Sequence, residues 1–401
     1  MPLSKEKIAE ILSRGVTEIA VRKDLEKKLL SGQKLRVKHG VDPTTDTLHL
    51  GYSAVYLKLR DFQELGHTVM FLLGTFTARF GDPTDRGEQR TMRTKEQVEQ
   101  AAKTYIDQIR HILDFDRIEI RTNSEWYDDM SAEELLRLMS RFTVSRMLER
   151  DMFAERIKAK KEIGLHEPVY PVLQGYDSVM LKSDLTVVGS DQLFNELQAR
   201  KLQQDAGQTP QDIVAMELLL GTDGKRKMSQ SLKNDIPMLG DPNDQYGKLM
   251  SIPDALLGQY LTMLTRIPTA DVRDMLSQMK RGKVNPRDVK MRLAREVVSI
   301  HHGTEAAGRA EGEFVRIFQK RERPSSAETV RIKTKTIPLV EALIVAKLAS
   351  SKTDARRLIA QGGVRVDGTV VTDEKKVFTL SKKGSLLQKG KHQFVKFTLE
   401  R

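Results

Sequence analysis

The chain has 401 residues, 39% of them apolar, which is enough for two or three domains that each bury a core. It has no cysteine, no apolar run near the ~18 residues of a membrane span, and a start, MPLSKEKIAE, without the apolar centre of a signal peptide; disulfides, thiolate metal centres and a membrane anchor are therefore not expected, and a soluble cytoplasmic protein is. Of the net charge of +12, the segment Arg331–Arg401 supplies +10, with 16 basic and 6 acidic residues, the footprint of a polyanion-binding module rather than of a merely soluble tail.

Leu35 to Val41 reads as a short strand, Asp42 to Leu48 as a loop, and His49 to Leu65 as a helix that Gly66 ends. The apolar run Thr68 to Leu73 then reads as a buried strand, so the unit is a strand–helix–strand crossover and the sheet is parallel. Further strands are expected at Arg117–Arg121, Leu185–Val188 and Ile213–Leu219, alternating with helices at Glu96–Leu113, Ser131–Glu149 and Asp191–Gln204. The class is α/β, a Rossmann-like doubly wound parallel sheet with ligands at the carboxyl ends of its strands.

Lys225 to Ser231 follows as a basic, polar loop flanked by glycine, and Asp244 to about Glu322 reads as a helical domain punctuated by Pro253, Pro268 and Pro286. Arg323 to Ser326 suits a linker. In the last segment Leu339, Leu343 and Leu348 are spaced for a helix, and Ser350 or Ser351 can cap a second one that Gly362 or Gly363 ends, with Arg356 and Arg357 on its exposed side. Val364 to Val371 reads as a hairpin turning at Asp367-Gly368. A compact basic α+β module fits this pattern better than a disordered tail.

Three stretches suit a small polar ligand carrying phosphates. Asp42-Pro-Thr-Thr-Asp-Thr-Leu-His-Leu-Gly-Tyr52 joins a strand end to a helix N-terminus, where free backbone N–H groups favour phosphate; Thr44 and His49 can add donors, and Gly51 leaves room for a flat base. In Tyr170 to Asp177, Val172, Leu173, Tyr176, Val179 and Met180 form an apolar helical stripe. Tyr170, Gln174 and Asp177 form a second stripe of phenol, amide and carboxylate; a merely solvated face would more often carry Lys and Glu, so this stripe suits recognition of a small polar ligand, with an ordinary half-exposed face as the alternative. Gly189-Ser-Asp-Gln192 ends a strand, where Asp191 can hold ribose hydroxyls and Gln192 a second ligand.

These motifs, in this order, resemble the class I aminoacyl-tRNA synthetases, and within them the bacterial tyrosyl type. His49-Leu-Gly-Tyr52 resembles the HIGH signature and Lys227-Met-Ser-Gln-Ser231 the KMSKS loop; Gly81-Asp82-Pro83, Tyr170 to Asp177 and Gly189 to Gln192 resemble further tyrosine-enzyme motifs. The resemblance implies ATP-dependent ligation of L-tyrosine to tRNA(Tyr) through tyrosyl-adenylate. It implies that Asp177 accepts from the substrate phenol, and that Asp82, Tyr170 and Gln174 bind the α-ammonium with Gln192 nearby. Asp191 and Gly189 would contact the ribose, Gly51 the adenosine, and Thr44 and His49 the γ-phosphate. Lys227, Met228 and Gln230 lie in the loop that closes over the phosphates, Asp42 lies beside the aminoacyl site, and Arg356 and Arg357 face tRNA.

Magnesium is expected only with ATP, without a dedicated metal site, and a homodimer is expected through an insertion around residues 140–168. The implied domains are residues 1–224 (catalytic), 225–243 (mobile loop and connector), 244–326 (helical, anticodon-binding) and 327–401 (S4-type RNA-binding). The sequence departs from the fullest family pattern at Tyr52, at Gln230 and at Lys38, which stands where many relatives carry a tyrosine. Tyr52 and Gln230 motivate a second reading, a catalytically impaired paralogue that binds or structures RNA. A third is the same chemistry with tryptophan.

Overall fold

The structure is a computed structural model describing residues 4–83, 92–319, 328–381, 384–390 and 393–400. It contains two compact units, Met1–Ala307 and Gly308–Arg401. The linker expected at Arg323–Ser326 lies outside the described residues.

The first unit is built on six strands: β1 (Val16–Ala20), β2 (Arg36–Val41), β3 (Thr68–Leu73), β4 (Ile118–Thr122), β5 (Leu185–Gly189) and β6 (Asp212–Met216), in the order β1-β6-β5-β2-β3-β4. Every neighbouring pair is parallel except β1 with β6. The α/β class and the parallel ladder are as expected. The antiparallel edge strand β1 is an addition, because five residues carrying Thr17 and Glu18 give too weak an alternation to announce a strand. β6 ends at Met216 rather than at Leu219.

Strands β2 and β3 pair along their whole length, from Arg36–Thr68 to Val41–Leu73. By contrast β2 and β5 pair only at Val37–Leu185 and Lys38–Thr186. The chain order reverses between these two strands, so their carboxyl ends part and leave a crevice. Buried His39 crosses the gap, its Nδ1 lying 2.8 Å from the Val187 carbonyl oxygen. Asp42 and Gly189 follow on the two banks of that crevice.

Local chemistry sets the helix boundaries. His49 caps the helix Leu50–Glu64, and Thr94 with Gln97 forms a reciprocal cap on Lys95–Ile109. The single helix expected over Ser131–Glu149 is instead two, Ala132–Met139 and Val144–Met147, because the Thr143 side chain accepts from the Arg146 N–H and starts a second helix. In the apolar stripe of the helix Tyr170–Leu181, Val172 and Leu173 are buried but Met180 is 40% exposed. Downstream, Pro242–Ser251, Leu257–Leu264, Thr269–Lys280 and Pro286–His302 make the expected helical stretch, with Pro242 and Pro286 in first turns where no N–H is needed.

In the second unit, β7 (Glu328–Ile332), β8 (Thr336–Pro338), β9 (Val364–Val366), β10 (Thr369–Val371), β11 (Val377–Thr379), β12 (Ser385–Lys389) and β13 (Gln393–Leu399) form a five-stranded sheet, β10-β9-β12-β13-β7, and a pair, β8 with β11. Helices Leu339–Val345 and Lys352–Ala360 close a core of Leu339, Leu343, Ile359, Val364, Phe378 and Phe397. Ser351 caps the second helix. The β9–β10 turn holds Asp367 and Gly368 at φ 47° and 89°, the two left-handed positions of a tight hairpin.

Candidate active site

The residues singled out from sequence in the first unit collect around the parted ends of β2 and β5. Asp42, one residue beyond β2, accepts from the Tyr170 hydroxyl at 2.9 Å and from Thr77 Oγ1 at 2.8 Å. Burial and the carboxylates of Asp42 and Asp82 hold the Tyr170 phenol well above its usual range, so it stays a neutral donor. Across the crevice, Gln192 Nε2 donates to Asp82 Oδ2 at 2.7 Å, and Arg150 lies 3.9 Å from Asp82 Oδ1.

Asp177 is 4% exposed, and Trp126 Nε1 donates to its Oδ1 at 3.1 Å while Asn123 Nδ2 lies 3.5 Å from Oδ2. Burial pushes its carboxyl up to about 7, against the charge of Lys38 and the donors around it. The Lys38 ammonium donates to Ser178 Oγ at 2.6 Å and pairs with Glu196 Oε2 at 3.0 Å. The Tyr170/Gln174/Asp177 stripe is therefore an inward face, not a solvated one.

At the start of the helix Leu50–Glu64, His49 Nδ1 accepts from the Gly51 N–H at 3.2 Å, which leaves the proton of the neutral ring on Nε2. Burial, then the charge of Lys227, lowers its pKa to about 4, so the ring is a neutral donor at neutral pH. A Cβ on Gly51 would meet that ring at 2.9 Å, and one on Gly189 would meet Asp191 Oδ1 at 2.7 Å, so a side chain at either position would displace His49 or Asp191 from its present place. Lys227 Nζ donates to Asp191 Oδ2 at 2.8 Å. Burial and Asp82 raise Asp191 to about 6.

The loop carrying Lys227 is well tied. The Met228 N–H donates to the Leu219 carbonyl at 2.7 Å, and buried Asn234 accepts from the Ser229 N–H while its Nδ2 reaches the Lys227 carbonyl at 3.1 Å. Gln230, the departure from the family lysine, donates to Thr47 O at 2.8 Å and Thr47 Oγ1 at 2.7 Å. Arg356 and Arg357 belong to the second unit; both are exposed, Arg357 beside Asp354 at 2.6 Å and Arg356 3.8 Å from Glu374.

Sequence reasoning missed Thr77, Asn123, Trp126, Asn195 and Glu196. Asn123 and Trp126 directly follow β4, at a carboxyl end where ligands are expected, so position alone could have found them. Glu196 had a subtler signal: a lysine at position 38, inside an otherwise buried strand, needs a buried acid. Among the described residues no cluster of three His, Asp or Glu side chains could hold a metal ion, and no helix is long and apolar enough to cross a membrane.

Over residues 30–319 the chain matches the family of tRNA synthetases class I (W and Y), and over residues 321–397 the tyrosine–tRNA ligase SYY-like C-terminal domain. The chain belongs to the class I tRNA synthetases of this tryptophan and tyrosine group. Tyrosine–tRNA ligase of Thermotoga maritima is 45% identical over 397 residues, covering 99% of this chain and 98% of that one. The enzyme of that name from Dehalococcoides mccartyi is 43% identical, covering 99% and 100%. Within the group, then, the chain belongs to the tyrosine–tRNA ligases. Solved structures share the fold: a C-terminally truncated mitochondrial tyrosyl-tRNA synthetase of Aspergillus nidulans has a TM-score of 0.65 at 22% identity, over 79% of this chain and 95% of that one. Tyrosyl-tRNA synthetase of Archaeoglobus fulgidus, complexed with L-tyrosine, gives 0.61 at 22%, over 77% and 99%.

Proposed function

We propose that the crevice binds L-tyrosine and ATP side by side and ligates the amino acid to tRNA(Tyr) in two steps. The observation that carries this reading is Asp177, a buried carboxylate that already draws two side-chain donors and has acceptor capacity left for a phenol. In the proposed complex the α-ammonium sits among Asp82, Tyr170 and Gln174, with Gln192 beside it. ATP lies over the Asp42–Gly51 segment, its ribose on Asp191 and Gly189 and its adenosine against Gly51.

In the first step a tyrosine carboxylate oxygen attacks the α-phosphorus in line, an O–P bond forms, and pyrophosphate leaves. In the second, a terminal hydroxyl of tRNA attacks the activated carbonyl and AMP leaves. Neither step needs a nucleophilic side chain, so the protein's task is positioning and stabilising phosphate charge. Thr44 and the Nε2–H of His49 supply neutral donors to the γ-phosphate, and Lys227, exchanging Asp191 for phosphate, supplies the positive charge; Met228 contributes backbone and Gln230 holds the loop. Magnesium arrives on ATP, held mostly by its phosphates.

The reading extends beyond the first unit. Arg356 and Arg357, in the strongly basic segment, are assigned to tRNA contact, and the helices after residue 244 to the anticodon end. A homodimer is supported by apolar side chains left exposed along one segment, Leu136, Val144, Ile157 and Leu165, the last at 89%. A cytoplasmic setting agrees with a chain free of cysteine. No observation favours an impaired paralogue. ATP–pyrophosphate exchange with each of the twenty amino acids tests the whole: exchange with tyrosine alone is expected, and exchange with tryptophan, or none, overturns the reading.

A further inference from the structure

Amides are ambiguous ligands, since one end donates and the other accepts. An α-ammonium can only donate, so Gln174 is useful to it only if its oxygen faces the amino acid. The structure contains a device that decides this. Gln174 Nε2 donates to Glu196 Oε1 at 2.8 Å, and a carboxylate can only accept, so the NH₂ end of Gln174 must point at Glu196. Its Oε1 is then directed to the other side, where Asn195 Nδ2 donates to it at 2.7 Å and one lone pair is left over. The same Asn195 amide donates to Gln192 Oε1 at 2.9 Å, and Gln192 in turn has its NH₂ end fixed by Asp82.

Glu196 is 1% exposed and could not remain charged there alone. Lys38, equally buried, neutralises it at 3.0 Å, and Gln211 Nε2 donates to the same oxygen at 2.7 Å. The other carboxylate oxygen is thus reserved for Gln174.

We propose that Glu196, neutralised by Lys38, is a positioning residue that locks the Gln174 amide with its oxygen toward the α-ammonium of tyrosine, and so sets the preference for an amino acid over its des-amino analogue. The inference deepens the site reading above and rests on it. In Glu196→Gln, Lys38 and Gln211 both claim the new carbonyl oxygen, so the new NH₂ group faces Gln174 and forces it to turn. Gln174 then presents N–H groups to the ammonium.

The test compares binding of L-tyrosine with binding of 3-(4-hydroxyphenyl)propionate, which lacks only the amine. Glu196→Gln is expected to weaken tyrosine about 10–100-fold, the range of one hydrogen bond to a charged group, and to leave the des-amino acid unchanged. Because the single variant strands the Lys38 charge, Lys38→Met with Glu196→Gln is measured beside it; this pair buries no net charge, and at a pH high enough to keep Asp177 ionised without the Lys38 charge beside it it is expected to show the same selective loss. Equal weakening of both ligands means a structural role and overturns the inference, as does a preference for tyrosine that survives both variants. A wild-type chain without that preference overturns the ammonium site itself, and the inference with it.

Discussion

An ionised carboxylate accepts strongly on both oxygens, whereas a protonated one keeps only a weaker carbonyl acceptor and gains an O–H donor, which makes Asp177 a reporter of its own role. Burial raises it to about 7, so the folded protein holds it protonated below that pH and ionised above it. Since the charged acceptor holds a phenol more strongly than the neutral one, tyrosine affinity is expected to fall by up to about tenfold per pH unit below 7. Asp177→Asn should flatten that profile; a wild-type affinity unchanged between pH 8 and 6 would remove Asp177 from phenol recognition. The proposed site should also disfavour phenylalanine, which would leave a buried carboxylate short of a partner. The loss should approach the ~10⁴–10⁵ in kcat/KM by which tyrosyl-tRNA synthetases discriminate against phenylalanine. His49 differs in kind: with a pKa of about 4 it remains a neutral donor through this window and contributes no step to the profile.

At the scale of elements, the loop 225–234 is the part on which rate should depend. Lys227→Ala removes the charge that the proposed mechanism places on the phosphates, and kcat for adenylate formation is expected to drop ~10²-fold or more with tyrosine affinity nearly unchanged. An unimpaired variant would remove the loop from the chemistry. Gln230 acts through geometry instead, as its two hydrogen bonds to Thr47 hold the loop against the segment that carries His49. Gln230→Ala should slow single-turnover activation by roughly 5–30-fold, the worth of one or two net hydrogen bonds. Gln230→Lys should raise the rate unless Lys225 or Arg226 already serves the phosphates. The loop also marks where sequence reasoning stops. Elements defined by periodicity and caps were legible: β2, β3, the helix opening at His49, the Asp367-Gly368 turn. So was the gathering of the candidate motifs, since each sits at a strand end and the sheet brings those ends to one crevice. Illegible were pairings across long separations, such as Lys38 with Glu196, Gln230 with Thr47 and Trp126 with Asp177, because no local pattern records which distant partner a buried polar group will find.

For the molecule as a whole, buried titratable groups set the acid stability of the first unit. His39, His49 and His67 are lowered to about 4 and His301 to about 3, each chiefly by burial. The unfolded chain binds protons at these sites below about 6.5 while the folded one does not, so stability complete above pH 6.5 is lost as pH falls toward 4. Asp177 and Asp191, raised to about 7 and about 6, act in the opposite sense, gaining stability as pH falls. Four histidines against two aspartates leave a net uptake of roughly two protons on unfolding, about 2–3 kcal/mol per pH unit as a ceiling. Denaturant midpoints at pH 7, 6 and 5 should therefore decline steadily, and a flat series would show that these histidines find water or partners in solution. Charge separates the molecule in another way. Because the first 330 residues are nearly neutral and the excess lies beyond them, a chain ending at Ser326 keeps the crevice and its core but loses the basic module. It should form tyrosyl-adenylate at the full rate and bind tRNA weakly. Each phosphate contact contributes roughly 0.7–0.9 to the slope of log affinity against log salt, so the truncated chain should show a distinctly shallower slope. Arg356→Ala and Arg357→Ala should each reduce it by about 1 without touching pyrophosphate exchange. Unaltered charging of tRNA by the truncated chain, with the same salt dependence, would mean that the module holds something other than tRNA.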